Sequence, residues 1–214
     1  MIEIIVNAPK GGVGKTTIST NIALYLKNAN VKVKAIDLAQ GELLTSELND
    51  QNFSSQDIIT CELGSISKKG VIKPFGVNKK EIVIDRKKEL EFIVVDTDDY
   101  VDVLTDLLKT NDREIYVVVP IISGKYELKR IPKDMEQVLK SLLLQSKTNV
   151  KIFFLLNKIN SKEEEKKCRD ALKDRALDSY ILDAKVTYHK NLICTDNSIL
   201  NSQIEKILQE MEII

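Results

Sequence analysis

The stretch APKGGVGKTT at residues 8–17 constrains the chain more than any other. It follows the apolar run IEIIVN (2–7), which reads as a buried strand. It precedes ISTNIALYLKN (18–28), where Ile18, Ile22, Ala23, Leu24 and Leu26 share one helical face. Strand, glycine-rich loop and helix N-terminus, in that order, form the context of a phosphate-binding loop. Glycines let backbone N–H groups converge where side chains would block a phosphate. The helix N-terminus adds free donors and the positive end of a dipole. On this reading Gly11, Gly12, Val13, Gly14, Lys15, Thr16 and Thr17 form the cradle. Lys15 reaches the β and γ phosphates, and the Thr16 hydroxyl takes a place on Mg²⁺. The bland alternative is a glycine-rich turn with two solvated lysines.

Beyond the loop, strands and helices alternate. Residues 31–38, 89–97, 114–121, 151–158 and 179–186 read as strands, and 46–57 as polar and turn-like. Helical patterns cover 100–109, 127–146 (with Pro132 near its start) and 161–174, which opens on a capping box of Ser161 and Glu164. Continuous apolar strands alternating with helices predict an α/β fold, a mostly parallel sheet covered by helices on both faces. Ligands of such sheets bind at the carboxyl ends of strands. The expected organisation is one domain over residues 1–214. A basic excursion at 65–88 (SKKG, NKK, DRKK) departs from the pattern, as a solvated hairpin or as a partner- or DNA-facing patch.

Composition narrows the function classes. Zero net charge across 214 residues announces no global field for nucleic acid or membrane, so any such patch must be local. Cys61, Cys168 and Cys194 are odd in number and far apart, with no C-x-x-C spacing to suggest a metal or redox pair, and read as buried or neutral thiols in a reducing cytoplasm. The opening residues lack a secretory pattern, and no apolar run approaches a membrane span. The closing stretch SILNSQIEKILQEMEII is amphipathic, but its polar face carries more glutamates than lysines. It is read as a core-packed helix and not a lipid-binding one. His189 is the only histidine and has no triad partners in its neighbourhood.

The pattern G-x-x-x-x-G-K-[ST] needs a glycine at position 9, where this chain has Pro9. What stands there, K-G-G-x-G-K-T-T, resembles the deviant Walker A motif of the ParA/MinD superfamily of nucleotide-dependent switches. The resemblance implies a P-loop NTPase fold, bound ATP and Mg²⁺, and a homodimer in which Lys10 reaches the partner's nucleotide. It assigns Lys10, Lys15 and Asp37 to catalysis, and Thr16, Asp37 and Asp96 to the metal. Asn157, ending the strand 151–158, becomes the candidate adenine contact, against the plain reading of an asparagine that starts a loop. In such relatives strand two ends D-x-D, and the second aspartate positions the attacking water. Here that place is Ala39, or Leu38 if one residue is deleted. Neither is a carboxylate. Glu42, Asp98 and Asp99 are the nearby acidic groups that could substitute. The expected function is therefore ATP-dependent partition or positioning of plasmid, chromosome or other cargo by a weak cytoplasmic ATPase. Non-specific DNA and a ParB-like stimulating protein are candidate partners, and no membrane is expected. Lys125, Lys129, Arg130 and Lys133, or the lysines of 65–88, are candidate DNA contacts. The alternative is a hydrolysis-deficient, nucleotide-gated scaffold.

Overall fold

The computed structural model describes residues 1–39, 41–60, 92–99, 104, 107–108, 114–145, 148–187 and 198–214. The basic excursion at 65–88 lies outside these, as do Cys61, Cys194, His189 and most of the helix expected at 100–109. Within that helix, the Leu108 amide donates to the Leu104 carbonyl at 3.0 Å.

Apolar runs become strands where continuous burial suits a sheet covered on both sides. The strands are β1 (Ile2–Val6), β2 (Val33–Asp37), β3 (Ile58–Thr60), β4 (Phe92–Asp96), β5 (Glu114–Ile121), β6 (Val150–Asn157) and β7 (Ile181–Val186). They form one sheet in the order β3-β2-β4-β1-β5-β6-β7, and every pairing is parallel. The sequence predicts a mostly parallel sheet; the described strands are parallel throughout. The helices are α1 (Lys15–Asn28), α2 (Leu43–Asp50), α3 (Lys125–Leu144), α4 (Lys162–Lys173) and α5 (Ser198–Glu210).

Side chains alternate across a strand, so one apolar run feeds two cores. Ile4 and Val6 of β1 pack with Ile18, Ile22 and Leu26 of α1 and with Ile204, Ile207 and Leu208 of α5. Ile5, between them, faces Ile131, Met135 and Val138 of α3 and Leu172 of α4. The closing helix is thus core-packed, as its acidic polar face predicts. Cys168 is fully buried on α4, and burial pushes its thiol up to about 12, so it is a packing residue and no nucleophile. Ser161 caps α4 by accepting from the Glu164 amide at 3.1 Å.

The region expected to be turn-like, 46–57, begins inside α2. Only Leu44 and Leu48 of that helix are buried, one turn apart. Its local N-cap is Glu42, in a left-handed conformation (φ 52°) with no side-chain cap bond. The cap comes instead from the sheet. Asp37 at the end of β2 accepts from the Thr45 amide at 2.9 Å and the Thr45 hydroxyl at 3.0 Å. A helix of two turns with a tertiary cap leaves almost no local sequence signal.

Candidate functional site

The parallel register brings three strand ends together. Val6, Asp37 and Asp96 are Cα partners across β1, β4 and β2, so both aspartates stand at the carboxyl edge beside the start of the glycine loop. All three residues are fully buried.

The loop takes its shape from two glycines. Gly12 has φ 76° and Gly14 φ 94°, both in the region where a Cβ is strained. A Cβ on Gly14 would also run into the Asn157 amide, whereas one on Gly12 would meet nothing within 4 Å. Gly14→Ala should therefore cost about 3 kcal/mol of stability and Gly12→Ala about 1 kcal/mol, strain alone. Urea unfolding of the two variants checks this, and equal losses would contradict the packing part of the argument. Among the described residues, none of the backbone N–H groups from Gly11 to Thr17 has an acceptor. Unpartnered amides at a helix N-terminus are the donor set that suits phosphate oxygens.

Side chains complete the cradle. The Lys15 ammonium is nearly buried, donates to the Lys10 carbonyl at 3.2 Å and pairs with the Asp99 carboxylate. Thr16 Oγ1 donates to Asp96 Oδ2 at 2.7 Å, and Ser19 Oγ donates to Asp96 Oδ1 at 2.9 Å. Burial raises the Asp96 carboxyl to about 6. The two hydroxyl donors pull it down, Asp37 nearby pushes it up, and Lys15 lowers it. A buried carboxylate held near neutrality beside a second aspartate and a helical hydroxyl is a set that a divalent cation would favour. The residues therefore fit Mg²⁺ and a nucleoside phosphate. Thr16, Asp37 and Asp96 would hold the metal side, which supplies charge to the phosphates, and the loop amides with Lys15 would hold the phosphates.

Asn157 ends β6 and lies behind the loop. Its Nδ2 donates to the Val13 carbonyl at 2.7 Å, and its Oδ1 accepts from the Lys158 amide at 3.0 Å. Lys158 Nζ donates to the Gly12 carbonyl at 2.9 Å. Asn157 and Lys158 thus brace the loop from the end of β6, two strands away from β1. Lys10 is half-buried, and its ammonium has no partner among the described residues. Thr17, with a half-buried side chain, offers its carbonyl to Asn21 Nδ2 at 2.6 Å. Ala39 places only its backbone at the site, donating its amide to Asp37 Oδ1 at 3.1 Å.

Several participants are absent from the sequence reading. Ser19 was legible in principle, since it stands three residues after Thr16 on the same helical face. Asn7, Thr45 and Thr97 carry no local signal, whereas Lys158 stands with Asn157 at a strand end legible in the sequence. Asn7 donates to Thr97 Oγ1 at 2.8 Å, Thr97 donates to the Val6 carbonyl at 2.9 Å, and both residues are buried.

A family model described as the CobQ/CobB/MinD/ParA nucleotide binding domain matches residues 4–200. The chain belongs to this family. Among curated relatives, a cytosolic Fe–S cluster assembly factor NUBP2 homolog of Dictyostelium discoideum is 31% identical over 147 residues, covering 55% of this chain and 56% of that protein. The Xenopus tropicalis nubp2 protein is 45% identical over 62 residues, covering 28% of this chain and 22% of that protein. The chain thus spans about half the length of the first relative and about a fifth of the second. Among solved structures, a putative plasmid partition protein from Borrelia burgdorferi bound to AMPPNP aligns at TM-score 0.65 with 17% identity, over 98% of both chains. A Cyanothece McdA–ATP complex aligns at 0.68 with 13% identity, over 100% of this chain and 97% of that one. The pNOB8 ParA bound to nonspecific DNA aligns at 0.62 with 15% identity, over 98% of both chains. These likenesses establish the fold. Among the described residues, no helix is long and apolar enough to cross a membrane.

Proposed function

We propose that the chain binds Mg-ATP at the loop of residues 10–17 and uses it to control homodimerisation, in the service of partition or positioning of plasmid, chromosome or other cargo in the cytoplasm. The observation that carries the reading is the single constellation of unpartnered loop amides, Lys15, Thr16, Asp96 and Asp37 at the carboxyl edge of a parallel sheet. Family membership and the plasmid-partition and ParA structures among its neighbours support the role. Lys10 is the residue offered across the dimer. Its ammonium has no partner among the described residues, which suits it to meet phosphates of a second copy. Lys125, Lys129, Arg130 and Lys133 are exposed on the first turns of α3, a local basic stripe on a chain of zero net charge. If this stripe meets non-specific DNA, affinity falls steeply with added salt. A ParB-like protein is the expected stimulating partner.

Dimerisation is the direct test. Sedimentation should show wild type shifting from monomer with ADP to dimer with a slowly hydrolysed ATP analogue. Lys10→Ala should bind the analogue yet remain monomeric. A mass that ignores nucleotide in the wild type would sink the proposal. A second reading, a nucleotide-dependent Fe–S assembly factor, draws on the 31% identical relative. It is separated by anaerobic reconstitution with iron and sulfide, which should yield no cluster absorbance if the partition reading holds.

A further inference from the structure

The family resemblance leaves the site without its water-orienting carboxylate, because position 39 carries a methyl group. The structure distinguishes among the acidic groups that could replace it. Glu42 is exposed at the start of α2 and makes no hydrogen bond to the loop among the described residues. Asp98 turns back on its own chain, where its Oδ1 accepts from the Asp99 amide at 3.0 Å. Asp99 alone faces the loop. Its Oδ1 pairs with the Lys15 ammonium, and its Oδ2 would lie 2.9 Å from a Cβ on Gly11.

A chain of bonds from the sheet brings Asp99 there. Thr97 is tied to the end of β1 through the Val6 carbonyl, and Asn7 Nδ2 reaches both Thr97 Oγ1 and, at 3.4 Å, the Asp98 carbonyl. The loop and the segment after β4 are thereby held to one strand end. Lys15 is the group that the loop motif directs to the β and γ phosphates. A carboxylate bonded to that ammonium would therefore stand near the terminal phosphate of a bound triphosphate.

We propose that Asp99 is the catalytic carboxylate of ATP hydrolysis, orienting the attacking water in place of the side chain missing at position 39, and that it gives up Lys15 to the triphosphate. The inference rests on the ATP-binding reading above. In the step, the water oxygen bonds to the γ phosphorus while the bond from that phosphorus to the β–γ bridging oxygen breaks. The electron pair leaves with ADP. The water proton passes to Asp99 and then to the released phosphate, so the carboxylate is regenerated and no co-reactant is consumed.

Two readouts on Asp99→Asn test the proposal: affinity for a non-hydrolysable ATP analogue, and ATP turnover. With no carboxylate competing for Lys15, the analogue should bind about three- to tenfold tighter, and tighter binding itself shows the variant is folded. Turnover should fall about 10²-fold or more. Adding Ala39→Asp to Asp99→Asn should recover at least about tenfold of it. Turnover in Asp99→Asn equal to wild type, or weaker analogue binding, overturns the assignment. Wild type that binds the analogue but shows no turnover also overturns it and leaves a nucleotide-gated scaffold. Wild type that fails to bind the analogue overturns the ATP-binding reading itself.

Discussion

Lys15→Ala is expected to weaken nucleoside triphosphate binding by about 10²- to 10³-fold, because it removes a charge-assisted donor from a water-poor anion site. The argument is electrostatic. Lys15 is only 8% exposed, so its ammonium acts in a medium less screening than water. Its loss also strips Asp99 of its partner. That carboxylate would then repel the phosphates with no cation between them. The loop amides would remain, so residual weak binding is expected. Stability should change little, because the Asp99 side chain is 40% exposed and can be hydrated once unpaired. Calorimetric titration measures the affinity, and a loss under tenfold would mean that the loop does not hold phosphates in the expected place.

Asp96→Asn should act in opposite directions on stability and on metal-dependent binding. Burial raises the Asp96 carboxyl from an ordinary 3.8 to about 6, so the native state takes up its proton more readily than the unfolded chain. A raised carboxyl contributes stability while protonated, and that contribution is lost as pH rises through about 6. Near pH 7.5 the ionised group costs the metal-free protein up to about 3 kcal/mol. An asparagine of the same shape avoids that cost. The variant should therefore unfold at a higher temperature than wild type near pH 7.5, and the difference should shrink toward zero below about pH 4. With the charge gone, Mg²⁺ should no longer strengthen nucleotide binding. Melting curves across pH, with nucleotide titrations with and without Mg²⁺, separate the two effects. A stability gain that ignores pH would contradict the burial argument.

Both predictions concern residues that stand out in the sequence, and their surroundings do not. Lys15 is legible because strand, glycines and helix follow one another within about thirty residues, where local chemistry dictates the backbone. Asp96 is legible because four apolar residues precede it on a buried strand. Thr45 and Thr97 are not, since their partners lie eight and 91 residues away in the chain. Asn157 shows the limit within one residue. Its place at a strand end is predictable from sequence, whereas its bond to Val13 depends on β6 packing two strands away from β1. The 43–50 helix leaves no local sequence signal for the same reason, as its cap comes from β2.

Local order, then, belongs to the sequence: the glycine loop, the alternation of apolar strands with amphipathic helices, and the aspartates at strand ends. Hydrophobic periodicity and backbone sterics act over a few residues and need no fold to be read. The tertiary structure alone decided which distant groups meet. Parallel register set Asp37 beside Asp96, strand order put β6 behind the loop, and the segment tied to β1 through Asn7 and Thr97 pairs Asp99, not Asp98, with Lys15. Such choices depend on ångström-scale distances between segments far apart in the chain, and those distances exist only once the sheet has formed.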